Sequence, residues 1–516
     1  MTRHSYRAIV APVALLFILM SLVASCTKSE TPAPPAAQTA SFVDVVANGE
    51  SDIFSIPFDS YRDELDSYPI GVFDSGIGGL TVLEAILTVD NFDKSTHSMG
   101  ADGIPDFDGE RFVYLGDQAN MPYGNYPAEG KTDFLKECIL KDAAFLLGTR
   151  YFNSQQADMP RSDKPPVKAI VIACNTATAY GLEDIREALG QWNIPVYLVG
   201  VVEAGAKGAV ADLEKRGGSG SVAVMATVGT CSSKGYVRAV DGVSRAAGMQ
   251  TPVVVQQGCL GLAGAIEGDA TYITKSGDNP GYRGPAVGNE AVPIDPKLAD
   301  RYAFQPEGLI GDTNDPATWK INSVENYIRY HTATLTEHLA EAGIGSPVTT
   351  VILGCTHFPF HAGSITGSFA RLRDYTAPDG SRPYRDYLAE NLTFIDPAVL
   401  TAADLYAALA GRDQLLADGD TRLIDVDEFY ISVPNPATPG AQLAEGGGFT
   451  YEYKYGREPG DFTVEYVRRV PMSVRNLTAE TLGSIRSTMP AVWERLVLFN
   501  EDSPRTAGLP ETDRIK

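Results

Sequence analysis

The 516-residue sequence predicts an α/β protein: two doubly wound parallel-sheet domains in pseudo-twofold relation, with the active site in the cleft between them. Two observations carry that expectation. Short apolar, β-branched runs alternate with helical patterns along most of the chain, as expected of parallel sheets covered by helices on both faces. One strand pattern also recurs with the same polar ending, as Val167-Lys-Ala-Ile-Val-Ile-Ala-Cys174-Asn175-Thr176 and as Val348-Thr-Thr-Val-Ile-Leu-Gly-Cys355-Thr356-His357. Sites in open parallel sheets form beyond the carboxyl ends of strands. Two such ends, each closing on a cysteine, predict two domains that present one thiol apiece to a common cleft.

Taken in order, residues 1–25 stand apart from the fold. Arg3 and Arg7 precede an apolar run from Ala8 to Ala24, a signal-peptide pattern too short and wrongly flanked for a membrane span. Its end, Val23-Ala24-Ser25-Cys26, resembles a bacterial lipobox, which implies cleavage before Cys26 and lipidation there; a plain secretory signal is the rival reading. The implied location is the bacterial cell envelope, periplasmic or surface, with the lipid as the membrane contact. Residues 26–66 are a tether and lead-in, rich in Pro, Ala, Thr and Ser from Thr27 to Ala40. Ile70–Phe73 reads as a buried strand and Gly79–Leu87 as the helix after it. Strands follow at Arg111–Leu115, Val167–Ile172, Val196–Val201, Val222–Met225, Val253–Val255, Val348–Leu353 and Leu392–Ile395. Residues 67–195 then form the first domain, completed by 397–516. Residues 196–396 form the second, with an insertion at about 269–345.

Composition narrows the functions. At 44% hydrophobic and 21% charged the chain is globular, and a formal net charge of −23 argues against nucleic acid or an anionic membrane surface as partner. If Cys26 carries lipid, Cys138, Cys174, Cys231, Cys259 and Cys355 remain, an odd set that is no disulfide framework. No CxxC or Cys/His cluster has zinc spacing, so no metal is expected. The glycines at 76, 78 and 79 lack GxGxxG spacing, and no dinucleotide or other cofactor is expected. Those glycines are expected to let the backbone approach a ligand closely.

Two thiols on opposite faces of one carbon can remove a proton from one side and return it on the other, inverting a stereocentre. The alternative is that both are small buried hydrophobes. The polar residues after each cysteine favour chemistry. Asp74-Ser75-Gly76 and Cys174-Asn175-Thr176 each sit between a strand and a helix, where backbone N–H groups point outward and can stabilise a carboxylate and the carbanion formed beside it.

Several segments in order resemble the glutamate racemase family. They are Gly71-Val-Phe-Asp74-Ser75-Gly76-Ile-Gly78-Gly79, Tyr114-Leu-Gly116-Asp117 with Met121-Pro122-Tyr123-Gly124, and Ala173-Cys174-Asn175-Thr176-Ala177. Gly200-Val-Val-Glu203-Ala-Gly205, Gly354-Cys355-Thr356-His357 and Ile395-Asp396-Pro-Ala398 follow. The resemblance implies that Cys174 and Cys355 are the two bases, with Asp74 near Cys174 and His357 near Cys355 managing their protons. It implies a further assisting carboxylate at Glu267. Ser75, Pro122, Tyr123, Gly124, Asn175, Thr176, Thr356 and Thr227 would grip a small acidic amino acid, with Thr230 and Ser232 nearby. Bland alternatives are helix caps for Asp74 and Thr176, a structural histidine at His357 and an exposed helix residue at Glu267. Cys231 and Cys259 read as buried structural thiols. Insertions at Asp90–Glu110, Asn153–Pro166 and about 269–345, and the long tail, depart from the family pattern and bear on substrate choice. Two other functions stay open: another isomerase or lyase of the same superfamily, and an amino-acid-binding protein without turnover.

Overall fold

The computed structural model describes residues 41–516, apart from 50, 52, 64, 275–278, 280, 418–421, 461, 463 and 464. The signal-like segment and Cys26 lie outside the described residues. Within Ser41–Lys516 the chain builds two main sheets. Their strands are β1 (Ile70–Asp74), β2 (Phe112–Gly116), β3 (Ala169–Ile172), β4 (Tyr197–Gly200), β5 (Ser221–Ala226), β6 (Val254–Gly258), β7 (Val348–Gly354), β8 (Leu388–Ile395), β9 (Glu428–Pro434) and β10 (Val467–Pro471). The first sheet runs β10-β9-β2-β1-β3-β4, parallel throughout except for the β9–β10 edge pair. The second runs β8-β7-β5-β6, all parallel.

The two orders are the same device used twice. Reading each sheet's own strands in sequence, both contain the order second-first-third-fourth, β2-β1-β3-β4 and β6-β5-β7-β8. In each, the first strand is flanked by the second and third, the point where chain order reverses and where loops part to leave a crevice. β3 carries Cys174 beyond its end and β7 carries Cys355.

Both faces of each sheet are covered. Phe73, Val113, Leu115, Ile170 and Ile172 pack under the helices Thr132–Leu147 and Asn175–Trp192, while Ile70, Val72, Phe112, Tyr114 and Val171 pack under Leu80–Thr88, Pro397–Ala410 and Pro490–Asp502. Two-sided burial explains why these strands read as continuous apolar runs without polar alternation. In the second sheet, Met225, Val351 and Leu353 face the helix Val324–Ala342, while Val224 and Ile352 face Val201–Lys215 and Gly235–Ala246.

Three features differ from the sequence reading. The crossing between sheets falls after Gly200, because Tyr197–Gly200 pairs with Ala169–Ile172 in the first sheet; the expected boundary at 196 comes one strand too early. The tail supplies β9 and β10, two strands absent from the sequence reading, although Phe429-Tyr-Ile-Ser-Val433 of β9 is itself a largely apolar run. The tail also supplies the short helix Tyr451–Gly456, seated on the loop after β2: the Lys454 ammonium donates to the Met121 carbonyl, and the Tyr455 hydroxyl donates to that of Pro122 at 3.1 Å. The insertion near 269–345 reaches the same place from the second sheet. Tyr272 accepts from Asn125 at 3.1 Å, and the Arg283 guanidinium lies 3.6 Å over the Tyr451 ring. No helix among the described residues is long and apolar enough to cross a membrane.

Candidate active site

Five strand ends converge on one small cavity. Ser75 follows β1, Met121 to Gly124 follow β2, Cys174, Asn175 and Thr176 follow β3, Thr227 follows β5, and Cys355, Thr356 and His357 follow β7; Ala263 completes the wall. The cavity volume is about 20 Å³, room for a single water-sized sphere. The cleft is therefore too narrow for an amino acid, which must widen it to enter.

The glycines explain how closely the walls approach. A Cβ at Gly78 would stand 2.7 Å from both His357 and Thr356, and one at Gly124 would stand 2.7 Å from Thr227. Neither contact is compatible with a side chain. None of Gly76, Gly78 and Gly79 adopts a left-handed φ. At Gly78 the missing side chain makes room for the facing sheet's own His357–Thr356 segment.

On the first-sheet side, Cys174 is the N-cap of the helix Asn175–Trp192, its sulfur accepting the Ala177 N–H at 3.4 Å and standing 3.6 Å from the Ser75 hydroxyl. Burial, then the neighbouring Asp74 charge, pushes this thiol well above its ordinary range. Both causes favour the protonated thiol. Asp74 is fully buried; one carboxyl oxygen accepts from Gly76 and Gly79 at 3.2 and 2.9 Å, and the other has no hydrogen-bond partner among the described residues. Burial raises its pKa against the opposing pull of His357 and these two N–H groups. Asp74 both caps the helix start and stands behind Cys174.

On the second-sheet side, the Cys355 sulfur lies 3.5 Å from His357 Nδ1, and His357 Nε2 lies 2.7 Å from Glu267 Oε1. The ring and the carboxylate side chains are 6% and 8% exposed, so this pairing is almost unscreened. Burial opposes protonation of His357, but its hydrogen bonds and charge interactions with Cys355 and Glu267 prevail and raise its pKa well above the usual value. The ring facing the Cys355 sulfur thus has its protonated form favoured by both neighbours. Gln118 Nε2 donates to the other Glu267 oxygen at 2.9 Å.

The remaining expected residues divide. Thr176, Thr227 and Thr230 hold one another in a triangle of hydroxyls, every side 3.0 Å. Asn175 accepts from the Tyr236 hydroxyl, which leaves its amide N–H₂ group for other work. Tyr123 lines the cavity, but its hydroxyl is 2.5 Å from Asp117 and 2.7 Å from Asp142. One phenol hydrogen cannot serve two carboxylates. Burial and the neighbouring Asp117 raise the Asp142 pKa well above its usual range, against the opposing pull of Arg469. The hydroxyl is thus engaged within the first-sheet side, while the rest of Tyr123 faces the cavity. Ser232 is exposed and is not among the residues lining the cavity. Glu267 is no exposed helix residue, and it stands with Asp74 behind the cavity wall instead of lining it.

Gln118, Ala263 and Tyr236 were missed. Gln118 lies next to a quoted motif, but its partner is 149 residues away, and no local pattern reports such a pair.

No family model matches the sequence. A glutamate racemase of Parafrankia sp. (strain EAN1pec) is 30% identical over 352 residues, 68% of this chain and 81% of the relative. A glutamate racemase of Enterococcus faecalis is 38% identical over 172 residues, 33% of this chain and 46% of the relative, so the chain spans less than half the length of that protein. A solved structure, glutamate racemase isoform RacE1 from Bacillus anthracis, aligns over 70% of this chain and 88% of its own at 23% identity and a TM-score of 0.41.

Proposed function

The chain belongs to the glutamate racemase family, and from that premise we propose that it is a cofactor-independent racemase of glutamate or a related acidic amino acid. The observation that carries this reading is that Cys174 and Cys355, from corresponding strand ends of two like-ordered sheets, line one narrow cavity.

In one direction the Cys355 thiolate, beside protonated His357, takes the α-proton. The electron pair stays on the α-carbon and spreads into the α-carboxylate, which backbone N–H groups at the helix starts after β1 and β3 stabilise. The Cys174 thiol then gives its proton to the opposite face. Cys355 ends as the thiol and Cys174 as the thiolate, the charge state suited to the opposite enantiomer. The elevated pKa of Cys174 makes it a reluctant thiolate, so substrate binding must supply the compensating donors.

The test is exchange in D2O. The full chain, solubilised in detergent and kept reduced, is incubated with each enantiomer of glutamate and aspartate while the α-proton signal is followed by NMR. We expect exchange with inversion for at least one pair. Cys174→Ser and Cys355→Ser should each reduce racemisation by about 10³-fold or more. Absence of exchange with all four substrates would sink the proposal and favour a binding protein or a different isomerase. We also propose a lipid-anchored place in the cell envelope, supported by the Val23–Cys26 pattern; Cys26→Ser should move the protein from the membrane fraction to the soluble one.

A further inference from the structure

We propose that Gln118 is a positioning residue for the Cys355 half of the site, and that it completes the relay Glu267–His357–Cys355 only when the cleft closes. The proposal rests on the racemase reading above and adds a residue and a timing to it.

Gln118 belongs to the turn Gln118–Asn120 that follows β2 in the first sheet. Glu267 and His357 belong to segments that follow β6 and β7 in the second. The 2.9 Å bond from Gln118 Nε2 to Glu267 Oε2 therefore runs from one sheet's loops to the other's, and separating the two sets breaks it. The bond's chemistry matters as much as its position. An amide N–H₂ orients the carboxylate without neutralising it, whereas an Arg or Lys there would compete for its charge. Among the described residues, the only ion pair of Glu267 is with His357. Its full negative charge is thereby directed through Oε1 to Nε2, leaving Nδ1 aimed at the sulfur 3.5 Å away. The amide orientation is fixed by the same logic, since a flipped Gln118 would set its carbonyl oxygen against a carboxylate. Met121, 3.6 Å from Nε2, packs against the amide from the cavity side.

Other charged and titratable groups act on this relay. Asp74 and Tyr114 face it from the first sheet, His361 from the turn after His357, and Lys454 from the tail helix. None of these makes a hydrogen bond to Glu267 among the described residues, so none replaces Gln118. An open cleft leaves Glu267 free to turn into water and His357 free to lose its proton. Closure restores both, so the Cys355 base is armed as the substrate is sealed in.

The test uses two nearly isosteric variants in the full chain: Gln118→Met, which keeps the bulk and removes the donor, and Gln118→Glu, which donates only when protonated. In 15N-histidine-labelled protein, the His357 titration midpoint should fall by about one unit in Gln118→Met. Its kcat should fall about 10- to 100-fold with KM changed less than about threefold, and the alkaline limb of its pH–rate profile should move to lower pH. Gln118→Glu should regain activity relative to Gln118→Met at the acid end of the profile and lose that advantage as pH rises. An unchanged His357 midpoint in Gln118→Met overturns the proposal, even if activity or Tm falls. The histidine titration needs no turnover, so it decides the role of Gln118 even if the chain racemises nothing.

Discussion

His357 shows how the charge of a single side chain sets a pH dependence. Its folded pKa is raised, so the imidazolium persists to a higher pH than in a free histidine and is lost as pH rises through that elevated value. Replacing Glu267 by Gln removes the charge that holds the proton. The alkaline limb of activity should then move to lower pH, with kcat reduced about 10²-fold near neutrality; a pH–rate profile of Glu267→Gln checks both. An unmoved limb would mean that another group sets it. Most of the residues named from the sequence do reach the cavity or stand behind it, because each lies within a few positions of a strand end, and strand ends are legible. The fate of the Tyr123 hydroxyl was not legible. It depends on Asp142, itself held by Arg469 from 327 residues further along, and no local pattern reports such a partner.

At the scale of elements, the apolar strands up to Ile395 announced themselves and the charged edge strand of the tail did not. Val-Arg-Arg-Val-Pro, residues 467–471, reads as surface, yet it forms an almost wholly buried edge strand. Its cost is met by pairing: Arg469 bonds Asp142 at 3.0 Å and Glu465 at 3.3 Å. The connection 153–166 hides a second such case with less compensation. Lys164 is buried, donates to the carbonyls of Leu146 and Pro165, and burial lowers its pKa to about 7. Between that value and the ordinary 10.5 the unfolded chain binds a proton that the folded one releases, so this residue makes stability rise with pH across the window. Lys164→Met should therefore gain stability relative to the parent below about pH 7, on the order of 2–4 kcal/mol, and lose that gain as pH approaches 10. Urea denaturation of the two proteins at several pH values measures it; a pH-independent difference would show that Lys164 is not the source.

For the whole molecule, a net charge of −23 implies self-repulsion that salt relieves. Raising NaCl from about 0.02 to about 0.3 M should raise Tm by a few degrees; a flat or falling Tm would show that attractive pairs dominate. The duplicated strand order was foreshadowed by the two cysteine segments, whereas the join made by the tail helix and the insertion, with Arg283 stacked on Tyr451, was not. Both of its halves come from stretches without a repeated pattern, and stacking between them leaves no periodic trace. The narrowness of the cavity has one further consequence. A chamber with room for little more than a single water shields Cys174 and Cys355 from peroxide and from mixed-disulfide formation with small thiols. Damage to the sulfurs should then accumulate with the number of openings and not with elapsed time: the resting molecule is preserved, and each catalytic cycle carries a risk of oxidation.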